Sequence, residues 1–179
     1  FIFASYLLKM NQKPLVSVIC TCYNHQNFVT DSIQSVLNQT YSNIEIIIID
    51  DYSLDDSVTV IKNFIIDFPE IKFIENPENL GNTKAFNKAE KLATGDFLID
   101  LAGDDLLLKN CIEDQVNTFL STENKSVGIV FGNTLNINAN GDYVSDYFKT
   151  NLNKNVVDQG LFKTDLKRIL KGGLCMNSV

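Results

Sequence analysis

Residues 44–53 read Ile-Glu-Ile-Ile-Ile-Ile-Asp-Asp-Tyr-Ser. The apolar run is almost wholly β-branched and too short to favour a helix, so Ile44–Ile49 reads as a buried strand. It stops abruptly at Asp50-Asp51. Upstream, Leu15–Cys20 is a second buried apolar run, followed by a polar turn over Tyr23–Asn27. Val29, Ile33, Val36 and Leu37 then recur at helical spacing, with Thr30 as candidate N-cap. Downstream, Asp55 can cap a helix whose core side carries Val58, Ile61, Ile65 and Phe68 and which Pro69 stops.

The alternation continues. Ile71–Glu75 reads as a third strand, and Asn76–Gly81 as a polar loop. Ala85, Phe86, Ala89, Leu92 and Ala93 mark a helix ended by Gly95. Asp96–Leu101 is a fourth strand, closed by Ala102-Gly103-Asp104-Asp105. A helix follows through Cys111, Ile112, Val116, Phe119 and Leu120, then a fifth strand over Val127–Phe131. Asn140-Gly141 between Leu135–Ile137 and Tyr143–Val144 signals a hairpin. Leu166, Ile169 and Leu170 mark a last helix. Strands alternating with helices imply an α/β fold, a mostly parallel central sheet with helices on both faces. Ligands of such folds collect at the carboxyl ends of the strands. The polar clusters Thr21–Asn24, Asp50–Ser53, Asn79–Lys84 and Asp104–Asp105 are therefore expected to converge.

Composition narrows the function. A length of 179 residues is one domain, or one domain and the start of a second. The net charge is −7 and Arg168 is the sole arginine, which leaves no basic stripe for nucleic acid. No apolar run approaches the ~20 residues that cross a bilayer. Cys20, Cys22, Cys111 and Cys175 form no Cys-x-x-Cys pair, so they read as small thiols in a reducing cytoplasm rather than a zinc site or a disulfide framework. Residues 1–13 read as a leader or expression remnant. There is no Gly-rich dinucleotide fingerprint, no P-loop and no nucleophile elbow. His25 is the one histidine and reads as a loop residue.

What remains is acidic. Asp50, Asp51, Asp104 and Asp105 all follow apolar strands. They serve either as turn formers and caps, or as a carboxylate cluster whose repulsion a divalent cation relieves. Mg²⁺ takes one or two carboxylates and completes its shell with water and substrate phosphates, so the pattern suits a metal–nucleotide site. Asp51, at a strand end, can accept an N–H from a nucleobase. Asn79-Leu80-Gly81 is either a plain turn or a place where backbone approaches a ligand closely.

Two stretches, PLVSVICTCYNHQNFVTDSIQSVLNQTYSNIEIIIIDDYSLDDS and ENLGNTKAFNKAEKLATGDFLIDLAGDD, carry these clusters in an order that resembles the family 2 glycosyltransferases of GT-A fold. The resemblance is strongest from Pro14 to Asp105. It implies inverting transfer of a sugar from a nucleotide-diphospho-sugar, UDP-linked by default, to a sugar or lipid-linked acceptor hydroxyl. It implies Mg²⁺ or Mn²⁺, and a role at the cytoplasmic side of the membrane in bacterial polysaccharide or glycolipid assembly. By the same resemblance Asp51 contacts the base, with Asp50 beside it in the paired-Asp turn. Thr21, Tyr23 and Asn24 line the nucleotide pocket, Asn79 and Gly81 belong to the Asn-x-Gly helix start, and Asp104 with Asp105 forms the metal motif. Residues 14–105 become the nucleotide-binding half and 106–179 the start of the acceptor half of a domain that continues further.

Three positions depart from the family pattern. Ala102 stands where the metal motif begins with Asp. Tyr52 replaces the Gly after the paired Asp. Phe86 replaces an Arg, so that Lys84 or Lys88 must supply any positive charge near the phosphates, unless both are solvated helix lysines. The catalytic base is expected beyond Val179; Asp142, Asp146 and Asp158 are carboxylates that no motif selects. Two other readings are a nucleotide- or sugar-binding module of the same fold without turnover, and a receiver-type phosphoacceptor domain built on the Asp50-Asp51 pair.

Overall fold

The structure is a computed structural model and describes residues 13–121, 128–130 and 132–146. Strand β1 is Val16–Cys22, helix α1 Val29–Leu37, β2 Ile44–Asp50, α2 Ser57–Phe64 with a 3₁₀ turn over Ile65–Asp67, β3 Lys72–Glu75, α3 Asn82–Glu90, β4 Phe97–Ala102 and α4 Cys111–Leu120. Four strands form one sheet in the order β3-β2-β1-β4, every pairing parallel. The hairpin expected around Asn140-Gly141 is present as β5, Leu135–Ile137, and β6, Tyr143–Asp146, in a separate antiparallel pair.

β1 lies between β2 and β4 and is buried along its whole length, which is why it reads as a continuous apolar run rather than an alternating one. Its side chains divide between two layers. Val16, Val18, Cys20 and Cys22 face a core shared with Ile46 and Ile48 of β2, Val29, Ile33 and Val36 of α1, Ile61 of α2, and Ile112 and Val116 of α4. Ile19 joins Ile47, Ile49, Ala85 and Ala89 in the second core, so α3 covers the other face through two alanines. Helices thus flank both faces, as expected.

Local details differ from the sequence reading. Thr30 lies inside α1, not at its cap; the helix starts where the His25 carbonyl accepts the N–H groups of Phe28 and Val29, both at 2.9 Å. Leu92 and Leu120 are exposed rather than core-facing. Helix α3 ends at Glu90, well before Gly95. Gly95 instead permits a close approach to β1. A Cβ there would lie 2.5 Å from Ser17 Oγ and 2.7 Å from Ser17 N, so only glycine lets this turn close on the strand. Of the expected fifth strand, residues 128–130 are not strand, and Val127 and Phe131 lie outside the described residues. So do the expected last helix, Cys175 and Asp158.

Candidate functional site

The register aligns Cys22 of β1 with Asp50 of β2, and Thr21 with Ala102 of β4. Parallel pairing therefore brings the loops after these strands to one edge. They form a cleft of about 400 Å³ lined by Thr21, Cys22, Tyr23, His25, Asp51, Asn79, Gly81, Asn82, Ala85 and Ala102. The size is that of an ordinary small-molecule site. Five of the residues singled out in the sequence meet here: Thr21, Tyr23, Asp51, Asn79 and Gly81.

Asp51 is 4% exposed and is held by three donors. Oδ1 accepts Asn76 Nδ2 at 2.7 Å and the Leu80 N–H at 2.9 Å, and Oδ2 accepts the Gly81 N–H at 2.7 Å. Gly81 takes φ +83° at the cap of α3, a conformation open to glycine. Asn79 Oδ1 also accepts the Gly81 N–H, at 3.1 Å.

Asp50 is buried and committed to its own turn, accepting the Ser53 N–H at 2.9 Å and the Ser53 hydroxyl. Asn24, at φ +60°, accepts the Leu54 N–H at 2.7 Å and donates its own N–H to Ser53 Oγ at 2.9 Å. Gln26 adds a reciprocal clamp: its N–H reaches Asp55 Oδ2 at 3.1 Å, and its Oε1 accepts the Asp56 N–H at 2.8 Å. These bonds lace the loop after β1 to the loop after β2 and set the wall of the cleft. Asp55 caps α2 from one residue before Asp56, through the Ser57 N–H at 3.0 Å. Burial opposes its charge, but the bonds from Ser57 and Gln26 prevail and hold its carboxyl below the usual range.

His25 is the residue that sequence reasoning passed over. Its ring lines the cleft, and Nε2 lies 3.7 Å from Asp104 Oδ2, an ion-pair rather than a hydrogen-bond distance. Its Nδ1 is buried and finds no hydrogen-bond partner among the described residues. The ring sits over Gly103, where a Cβ would come within 2.9 Å of Nδ1. Its place directly after Tyr23-Asn24 was the available signal.

Asp104 is exposed, and Asp105 is half-buried beside it. Burial pushes the Asp105 carboxyl up to about 6, the charges of Asp104 and Asp100 add to this, and His25 opposes it. Neither Asp104 nor Asp105 lines the cleft itself; Ala102, at the end of β4, does. Among the described residues no three His, Cys, Asp or Glu side chains are placed to share one ion. Asp104 and Asp105 offer two adjacent carboxylates, hard oxygen donors of the type of which Mg²⁺ takes one or two. Lys84 is exposed on α3, while Lys88 is not simply solvated: its Nζ donates to Asn76 Oδ1 at 2.6 Å. Cys20 and Cys22 are buried, which pushes their thiols up to about 12 and about 11 and leaves them protonated and inert.

The doubly covered parallel sheet with a cleft at its carboxyl edge has the architecture of the GT-A glycosyltransferases. The profile of glycosyl transferase family 2 matches residues 17–169, and the chain belongs to that family. It is 38% identical over 107 residues to an uncharacterized glycosyltransferase of Haemophilus influenzae, covering 60% of this chain and 43% of that protein. The chain thus spans less than half of that relative's length. Among solved structures it resembles a mannosyltransferase of Pyrobaculum calidifontis in complex with GDP-Man and Mn²⁺ (TM-score 0.58, 21% identity, 63% of this chain and 34% of that one). It also resembles TarS 1–349 of S. aureus in complex with UDP-GlcNAc (TM-score 0.55, 22% identity, 65% and 37%).

Proposed function

We propose that this domain binds the nucleotide-diphospho-sugar donor of an inverting glycosyltransferase that passes the sugar to an acceptor hydroxyl, on a sugar or a lipid-linked carrier. The observation that carries the reading is Asp51: a buried carboxylate at the end of a parallel strand, lining a cleft walled by the loops after β1, β2, β3 and β4. Asp51 accepts an N–H of the base, with Thr21 and Tyr23 beside it. Asn79 and Gly81 bring the start of α3 close to the donor, where its N-terminal N–H groups favour an anion. Asn24 and Asp50 shape the two loops. Asp104 and Asp105 would hold Mg²⁺ or Mn²⁺, and Lys84 is an exposed cation in the first turn of α3. The bound cation supplies charge neutralisation of the departing nucleoside diphosphate. His25 orients Asp104 from inside the cleft.

An inverting displacement also needs a base for the acceptor hydroxyl. Among the described residues Asp51 is the only carboxylate of the cleft, and it is engaged with the backbone. Asp142 and Asp146 lie on the β5–β6 hairpin. A base on the acceptor side is supported by the family resemblance. The family resemblance supports a UDP-sugar donor and a place in cytoplasmic-face polysaccharide or glycolipid assembly. No helix among the described residues is long and apolar enough to cross a membrane. Ala102 favours one second reading, a donor-binding module without turnover, which measured sugar transfer would exclude.

The test is thermal shift with UDP, dTDP, GDP and CDP, each with and without Mn²⁺ or Mg²⁺. A ligand at 100 times its Kd adds about 2.7 kcal/mol, or roughly 5–10 °C at this size. The reading stands if one nucleotide gives a metal-dependent shift that Asp51→Ala and Asp104→Ala abolish. It falls if no nucleotide shifts the protein.

A further inference from the structure

His25 stands between the two ends of the candidate site. Its ring lines the cleft that also holds Asp51, and its Nε2 lies 3.7 Å from Asp104 Oδ2. Its main chain is fixed on both sides. The His25 N–H donates to Ser57 Oγ at 2.9 Å, and its carbonyl accepts the Phe28 and Val29 N–H groups. The ring lies against Gly103, with Nδ1 on the buried edge and Nε2 toward the exposed Asp104.

A neutral imidazole carries one proton and one lone pair, and the surroundings decide which nitrogen has which. Nδ1 is buried, and no acceptor among the described residues reaches it. A proton there would be a buried donor without a partner, and it would leave the Nε2 lone pair facing the Asp104 carboxylate. Placing the proton on Nε2 turns that repulsion into attraction and leaves only an unfilled lone pair on Nδ1. The Nε2–H then faces Asp104, but 3.7 Å is too long for a hydrogen bond, so it can still donate to another oxygen. In this tautomer Nε2 has no lone pair for a metal ion and Nδ1 is out of reach. His25 is thus a hydrogen-bond donor beside the carboxylates, not a third ligand.

We propose that His25 is held as the Nε2–H tautomer and donates that N–H to the diphosphate of the sugar donor. The proposal rests on the donor-site reading above. A donor whose base meets Asp51 and whose cation meets Asp104 must pass its diphosphate between them, beside this ring. Ala102, the cleft residue at the end of β4, offers no polar side chain there. Negative charge grows on the diphosphate as the sugar leaves, and a prepositioned N–H strengthens its bond as that charge develops. The histidine acts as a neutral donor and keeps its proton.

The protein has one histidine, so its ring gives a single set of nuclear magnetic resonance signals. At about pH 8.5, above the ordinary histidine range, long-range proton–nitrogen correlation is expected to show Nε2 protonated and Nδ1 bare. A proton on Nδ1 overturns the inference whether or not a nucleotide binds. Binding is then followed in the amide spectrum with Mg²⁺ present, using UDP, dTDP, GDP and CDP, each beside its own nucleoside. His25→Ala is expected to weaken the bound diphosphate about tenfold, the equivalent of one hydrogen bond to a charged group, and to leave the nucleoside unchanged. His25→Gln, whose amide nitrogen falls where Nε2 lies, is expected to recover most of the loss. His25→Asn, which reaches only as far as Nδ1, is not. The main-chain bonds of residue 25 are available to all three variants, so the loop after β1 keeps its course. Equal weakening of diphosphate and nucleoside, or undiminished affinity in His25→Ala, overturns the inference and leaves the donor site standing. No binding of any of these nucleotides by the native protein overturns both.

Discussion

The Gly81 N–H donates to Asp51 Oδ2 at 2.7 Å across 30 residues of sequence. This bond, with its companion from Leu80, ties the end of β2 to the start of α3 and makes one wall of the cleft. An acceptor-only group is required here, because all three neighbours donate. Asp51→Asn would turn an amide NH₂ against one of those donors. We expect a loss of about 3 kcal/mol, the cost of a charge-assisted bond and a buried unsatisfied donor together. Denaturant unfolding measures it, and a loss below about 1 kcal/mol would show that the loop is braced elsewhere.

Gly81 and Gly95 are constrained for different reasons, and alanine at each should report the difference. Around Gly81 a Cβ meets nothing within 4 Å, but φ is +83°. Gly81→Ala is expected to cost about 1 kcal/mol of backbone strain. At Gly95 a Cβ would strike Ser17 N at 2.7 Å and the Leu15 carbonyl oxygen at 2.8 Å, and it would press on the hydroxyl that accepts the Gly95 N–H. Gly95→Ala is expected to cost about 2–3 kcal/mol, since the clash is with a central strand that cannot move aside. Equal losses in paired melts would contradict this account.

Tyr52 occupies φ +69°, and its side chain is exposed. A bulky residue in that region is strained, and little packing offsets the strain. Tyr52→Gly is therefore expected to stabilise the protein by about 0.5–1 kcal/mol, the relief of strain exceeding glycine's larger unfolded entropy. A fall in melting temperature would mean that the ring makes a contact worth more than the strain.

Glu45 gives the fold a definite pH dependence. Burial opposes its charge, but Ser17 Oγ at 2.6 Å, Lys72 Nζ at 2.9 Å and the Thr94 N–H and hydroxyl outweigh that and bring its carboxyl down to about 2. The folded value lies below the unfolded one, so the stabilisation is complete above about 4.5 and is lost as pH falls toward 2. On the order of 2 kcal/mol is at stake. Glu45→Gln should lower the melting temperature at pH 7 and lose most of that effect near pH 2.5. An equal effect at both would assign the loss to packing.

Much of the architecture was legible in the residue order. Ile44–Ile49 and Leu15–Cys20 announce central strands because a parallel strand covered on both faces must be apolar throughout. Val29, Ile33 and Val36 announce α1 by their spacing, and Asn140-Gly141 announces the hairpin. Thr30 misled because the start of α1 is set by the His25 carbonyl, which the loop after β1 places. Gly95 misled because its glycine serves a contact with Ser17, 78 residues away, rather than a helix end. Leu92 misled because α3 ends at Glu90 and leaves it in the following turn, and Leu120 because an apolar residue at the end of a helix need not face the core.

The sequence by itself determined the kinds of element and their order, and with them the edge at which Thr21, Tyr23, Asp51, Asn79 and Gly81 meet. Periodicity and run length are properties of contiguous residues, and parallel connectivity then places every strand's end on the same side. Only the tertiary structure decided what the polar side chains are bonded to across the chain: Asn24 to the loop after β2, His25 to the neighbourhood of Asp104, and Lys88 through Asn76 to Asp51. Hydrogen bonds depend on distances of a few tenths of an ångström between groups remote in the chain, and no local pattern carries that information.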